Sequence, residues 1–95
     1  MEDYLNNCIE LCNSCALKSI IEKMDCVDCC VLCESICKSL KKALLLNSKK
    51  PIINNLKKAC IIALKDCVAE CGKHNNIHCK KCSQSCSKLL QKLQN

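Results

Sequence analysis

Cysteine, leucine and isoleucine recur three and four residues apart along most of this chain, with Lys, Asn, Glu and Ser between them. That spacing returns a side chain to the same side of a helix, so it predicts helices that each bury one face. Three polar breaks divide the pattern. After Met24, Asp25 is placed to cap the helix that follows. In Asn47-Ser48-Lys49-Lys50-Pro51, Ser48 is placed as a cap and Pro51 suits the first turn of a helix. In Gly72-Lys73-His74-Asn75-Asn76, the Gly can end one helix and the Asn residues can cap the next. The breaks predict helices over about 3–23, 26–46, 51–73 and 76–93. Short connections make sequential helices antiparallel neighbours, so the expectation is an all-α, up-down-up-down four-helix bundle forming one domain over residues 1–95. A single Gly and a single Pro leave too few turn signals for an all-β chain.

Composition changes what the buried face is made of. Trp and Phe are absent and Tyr4 is the one aromatic residue, an ordinary packing position, while 14 of 95 residues are Cys. Aromatic rings supply much of the buried area of most small domains; here another element must help hold the interior.

Six cysteine pairs lie four apart, 8/12, 26/30, 29/33, 33/37, 67/71 and 82/86, and four lie three apart, 12/15, 26/29, 30/33 and 79/82. At about 100° per residue, Cys8, Cys12 and Cys15 span roughly 60° of arc, and Cys26, Cys29, Cys30, Cys33 and Cys37 roughly 100°. Cys60, Cys67 and Cys71 fall within about 40°, and Cys79, Cys82 and Cys86 within about 60°. Each helix therefore carries one sulfur stripe, giving a cysteine-lined core. With about 1.5 Å of rise per residue and the 47–50 connection at the bottom, Cys37 and Cys60 sit near the middle and Cys26 and Cys71 near the top. Cys79 falls high and Cys86 in the middle, while Cys15 and Cys8 fall in the middle and lower parts. Below them the stripes turn apolar at Leu40, Leu44, Ile53, Leu56, Leu90 and Leu93, a predicted hydrophobic plug.

Buried thiols can act as small hydrophobes, but fourteen on one face of every helix are poorly explained that way. Disulfides are a second reading. Cysteines on successive turns of one helix point the same way and are awkward to bridge, which leaves cross-helix pairs. Metal is the third. Acidic Glu2 and Asp3 stand where a secretory leader needs a basic start, and no run approaches the roughly 18 apolar residues of a membrane span. A cytoplasmic location follows as the expectation, and in a reducing compartment many cysteines signal metal.

Charge then chooses among metals. Zn(II) on four thiolates leaves a doubly negative cluster that is costly to bury repeatedly. Cu(I) replacing a thiol proton leaves the charge unchanged, and it is soft and prefers thiolate. Iron–sulfur clusters favour compact, loop-rich cysteine sets. Multiple Cu(I) ions lead, with Zn(II) or a disulfide-stapled helical protein as alternatives. Met24, His74 and His78 gather at the predicted top, where nitrogen and thioether ligands can pass copper inward. A helix-end His can also be a plain surface residue.

The net charge of +6 rests on Lys alone, without the Arg forks and stacking aromatics that nucleic-acid surfaces favour. It reads as a solvated face, with neither nucleic acid nor membrane as partner. No pair of catalytic groups stands outside the cysteine set, so the expectation is not an enzyme.

The segment Cys67-Val68-Ala69-Glu70-Cys71-Gly72-Lys73-His74-Asn75-Asn76-Ile77-His78-Cys79-Lys80-Lys81-Cys82-Ser83-Gln84-Ser85-Cys86 closely resembles the cytosolic bacterial copper storage proteins. Cys8-Ile9-Glu10-Leu11-Cys12-Asn13-Ser14-Cys15 resembles the first helix of that family, so the likeness spans nearly the whole chain. The resemblance implies a bundle, commonly a homotetramer, with Cu(I) strung along core thiolates, storage without catalysis, and copper entering at the His-bearing end. Two departures touch capacity. Ser87-Lys88-Leu89-Leu90 follow Cys86 where the family continues with cysteine, and Leu64 interrupts the stripe between Cys60 and Cys67. The link between the first two helices is also short.

Overall fold

The computed structural model describes residues 1–95 as four helices: α1 (Glu2–Ile21), α2 (Val27–Leu45), α3 (Lys50–Cys71) and α4 (Ile77–Gln94). Every boundary falls within two residues of the sequence expectation. Each helix packs on two neighbours, α1 and α3 both lying between α2 and α4, and across the diagonals only side chains meet. This is the antiparallel up-down-up-down bundle, 40 Å long and 23 by 19 Å across. No helix is long and apolar enough to cross a membrane.

The turns differ from their predicted chemistry. Asp25, Ser48 and the Asn residues are natural caps, yet Cys26 and Lys49 occupy the cap positions before α2 and α3 with no side-chain bond, and Asn76 leaves α4 uncapped. Asp25 and Asn76 bind instead across the two upper connections, where they meet His74 and Glu22. The left-handed closures fall at Lys23 (φ 55°) and Asn47 (φ 51°). Each is followed by a six-to-one bond, Met24 N–H to Ser19 C=O at 2.9 Å and Ser48 N–H to Ala43 C=O at 3.0 Å. Gly72 ends α3 with an ordinary right-handed φ of −65°; its role is clearance, because a Cβ there would lie 2.7 Å from the Val68 carbonyl oxygen.

The interior is chemically narrow. All fourteen cysteines are buried, with only Leu5, Leu40, Leu64 and Leu89 as large hydrocarbons among them, plus Ala16, Ala43, Ser19 and Ser85. The predicted plug forms: Leu40 is fully buried, and Leu44, Ile53, Leu56, Leu90 and Leu93 pack half-buried against the core. Leu5 and Leu89, unremarked by the stripe pattern, complete the apolar interior. Tyr4 sits at the surface with the Lys92 ammonium 5.1 Å from its ring. Two heights need correction. Cys15 belongs at the top, 3.8 Å from Cys79, and Cys8 stands beside mid-bundle Cys86 at 3.6 Å. Helix α1 stops at Ile21 and the next five residues make the turn, which lifts its cysteines towards that end.

Candidate metal centre

The stripes converge as the helical arithmetic requires. Thirteen thiols have no solvent exposure and Cys29 has 6%. All fourteen are free, and the close pairs stand 3.4–4.0 Å apart, well beyond the roughly 2.05 Å of a disulfide.

Donor atoms within 4.8 Å of one another form five groups. From the middle of the bundle upwards, the first two are Cys8/Cys12/Cys33/Cys86 and Cys12/Cys67/Cys82/Cys86. The next two are Cys29/Cys30/Cys67/Cys71 and Cys15/Cys26/Cys30/Cys71, and the last is Cys15/His78/Cys79. Each group shares at least one sulfur with the next: Cys12 and Cys86, then Cys67, then Cys30 and Cys71, then Cys15. The result is one ladder of donors drawn from all four helices. Cys37 and Cys60 stand outside these groups as a pair of their own, 3.4 Å apart, on the plug side.

No charged side chain enters the core. Burial holds Cys15 and Cys79 above the ordinary thiol value, the surrounding protein disfavouring the thiolate. Deeper in, hydrogen bonds sort the thiols. Cys12 is foremost among the neighbours that hold Cys8, Cys67 and Cys82 below that value, and its own is raised by the contacts with Cys33, Cys67, Cys8 and Cys82. The interior thus mixes S–H donors with sulfur acceptors, with no Lys, Asp or Glu side chain among them. A monovalent soft cation replaces a proton there without adding net charge.

At the top, the two histidines are differently employed. His78 is nearly buried, with Nδ1 3.4 Å from Cys15 Sγ and 3.5 Å from Cys79 Sγ, and Nε2 3.1 Å from Glu22. His74 turns Nε2 to Asp25 at 3.1 Å and joins none of the five donor groups. Met24 packs half-buried against the core beside them. Ser19 was not singled out by the sequence, yet it is fully buried, its Oγ 3.2 Å from Cys26 Sγ and 3.7 Å from Cys15 Sγ. Its position four residues after Cys15, on the same stripe, was the available signal. Glu22 carried no such signal. A cavity of about 450 Å³ opens beside His78, lined also by Leu11, Ser14, Lys18, Glu22 and Lys81.

Residues 1–94 match the family described as copper storage protein. The chain belongs to that family. A relative from Bacillus subtilis (strain 168), described as the uncharacterized cysteine-rich protein YhjQ, is 31% identical over 97 residues, covering 90% of this chain and 88% of its own length. No solved structure matches the chain. Membership agrees with the donor set: a core of clustered cysteines suits a metal-binding storage role.

Proposed function

We propose that this copper storage protein holds several Cu(I) ions per chain on core thiolates, as one 95-residue storage domain in the cytoplasm, without catalysing a reaction. The ligands are Cys8, Cys12, Cys15, Cys26, Cys29, Cys30, Cys33, Cys37, Cys60, Cys67, Cys71, Cys79, Cys82 and Cys86. His78 and His74 serve at the mouth. The observation that carries this reading is the sharing of sulfurs between successive donor groups. Isolated Zn(II) sites need four thiolates each and cannot all be filled when the groups share members. Bridged Cu(I) uses such sharing. Free thiols need a reducing compartment, which supports the cytoplasmic assignment.

Self-association is part of the same proposal. An apolar groove of about 480 Å³ runs between α2 and α3, and Leu32 and Ile62 on its walls are 59% and 71% exposed. A second copy, as in the homotetramer the family resemblance implies, would cover them.

Anaerobic Cu(I) titration against a chromophoric chelator, with metal analysis, tests the function. Unshared two-coordinate sites give about seven Cu(I) per chain, and bridging raises this towards about fourteen. Tight uptake of only one or two equivalents would replace storage with a carrier role.

A further inference from the structure

The three donors at the mouth have the dimensions of a metal site before any metal arrives. His78 Nδ1 lies 3.4 Å from Cys15 Sγ and 3.5 Å from Cys79 Sγ, and the two sulfurs are 3.8 Å apart. A first-row metal bonded at about 2.0 Å to nitrogen and about 2.3 Å to sulfur separates its donors by roughly 3.5 and 3.8 Å at tetrahedral angles. For this triangle to bind, Nδ1 must carry a lone pair. In neutral imidazole the proton then sits on Nε2.

The other side of the ring supplies that condition. His78 Nε2 is 3.1 Å from Glu22 Oε2, and the same oxygen accepts a hydrogen bond from Asn76 Nδ2 at 3.0 Å. An ionised carboxylate only accepts, so Nε2 must be the donor in this contact. Asn76 stands at the N-terminus of α4, where its side chain makes no capping bond and its Nδ2 donates to Glu22. Glu22 in turn ends α1. The carboxylate therefore joins the turn after α1 to the start of α4 and orients the ring between them.

We propose that Glu22, anchored by Asn76, is a positioning residue that fixes His78 in its Nε2–H tautomer and so presents Nδ1, with Cys15 and Cys79, as a preorganised copper-exchange site. His74 has no such arrangement. Its Nε2 makes the equivalent contact with Asp25 at 3.1 Å, but it joins no donor group, so it ties the two upper connections together without a thiol partner. This inference rests on the storage reading only for its copper readout.

The test uses full-length protein kept reduced and metal-free, with nitrogen-15 NMR of the histidine rings. Wild type should show His78 with hydrogen on Nε2 and an unprotonated Nδ1. Glu22→Ala should give a tautomer mixture, and Glu22→Gln, whose amide oxygen still accepts, should restore the wild-type pattern. Competition with a Cu(I) chelator should show one site per chain weakened about 10- to 100-fold in Glu22→Ala, the usual effect of losing such a partner, and recovered in Glu22→Gln. Glu34→Gln, at the surface pair with Lys38, is the control for charge alone and should match wild type. Hydrogen on Nδ1 in wild type, or wild-type tautomer and affinity in Glu22→Ala, would overturn the proposal. Uptake of only one or two Cu(I) by wild type would remove the storage reading instead, because the tautomer is read without metal.

Discussion

Cys12 and Cys86, whose sulfurs lie 3.6 Å apart across α1 and α4, belong together to two successive donor groups. A shared sulfur can bridge, so its loss touches more than one ion. Cys12→Ser replaces a soft donor by a hard one at that junction and should lower copper capacity by more than one ion per chain. Cys60→Ser, in the separate Cys37/Cys60 pair, should cost at most about one by the same softness argument. Metal analysis after desalting compares them; equal losses would mean the sites fill independently.

The pH dependence has a definite sign. Burial keeps Cys15 and Cys79 protonated above the ordinary thiol value of 9.0. Above 9.0 the unfolded chain has released these protons while the native state retains them. Native stability from these groups is therefore complete below 9.0 and is lost as pH rises through their folded values. Thermal midpoints of the metal-free protein should fall beyond that point. Copper-loaded protein should lack the fall, because its thiols hold no proton. Cu(I) binding to these two thiols should itself tighten with rising pH, since each must give up a proton.

The fold was legible because cysteine obeyed the helical period. Stripes at Cys8/Cys12/Cys15 and Cys79/Cys82/Cys86 located the buried faces, and Pro51 and Gly72 marked two helix ends. What the pattern could not give were contacts decided by turns. Asp25 and Asn76 have the chemistry of caps, but the same chemistry binds a histidine or a carboxylate across a gap, and only the spatial meeting of the two connections selects between them. Glu22 was invisible for that reason. His74 and His78 likewise look equivalent in sequence, although Nδ1 of His78 faces two thiols and His74 faces Asp25.

Leu64 separates hydrocarbon packing from ligand supply. It is fully buried on α3 between Cys60 and Cys67, where one more cysteine would continue the stripe. Leu64→Ala should destabilise the metal-free bundle by about 2–5 kcal/mol, the usual range for such a cavity. Leu64→Cys should also lower the metal-free midpoint, yet add a soft donor and raise copper capacity. Copper should raise the midpoint of every variant, because a ligand that binds only the folded state stabilises it. An unchanged midpoint on loading would place the copper outside the core.

Exchange kinetics should divide the two histidines. The thiol ladder carries the capacity, so replacing both His74 and His78 by Ala should remove about one ion per chain at most, the nitrogen being a single donor of the mouth triad. Rate is another matter. Copper moves by exchanging ligands, and the triad offers a nitrogen at the end where Met24 and the cavity beside His78 lie, while leucines fill the opposite end. The double variant should therefore load and unload more slowly than wild type. His78→Ala alone should account for most of the slowing, because its Nδ1 is the nitrogen facing Cys15 and Cys79. His74→Ala, which breaks only the contact with Asp25, should have the smaller effect. Stopped-flow transfer of Cu(I) to a competing chelator measures all three. Transfer at the wild-type rate in the double variant would make both rings bystanders and move the copper route elsewhere.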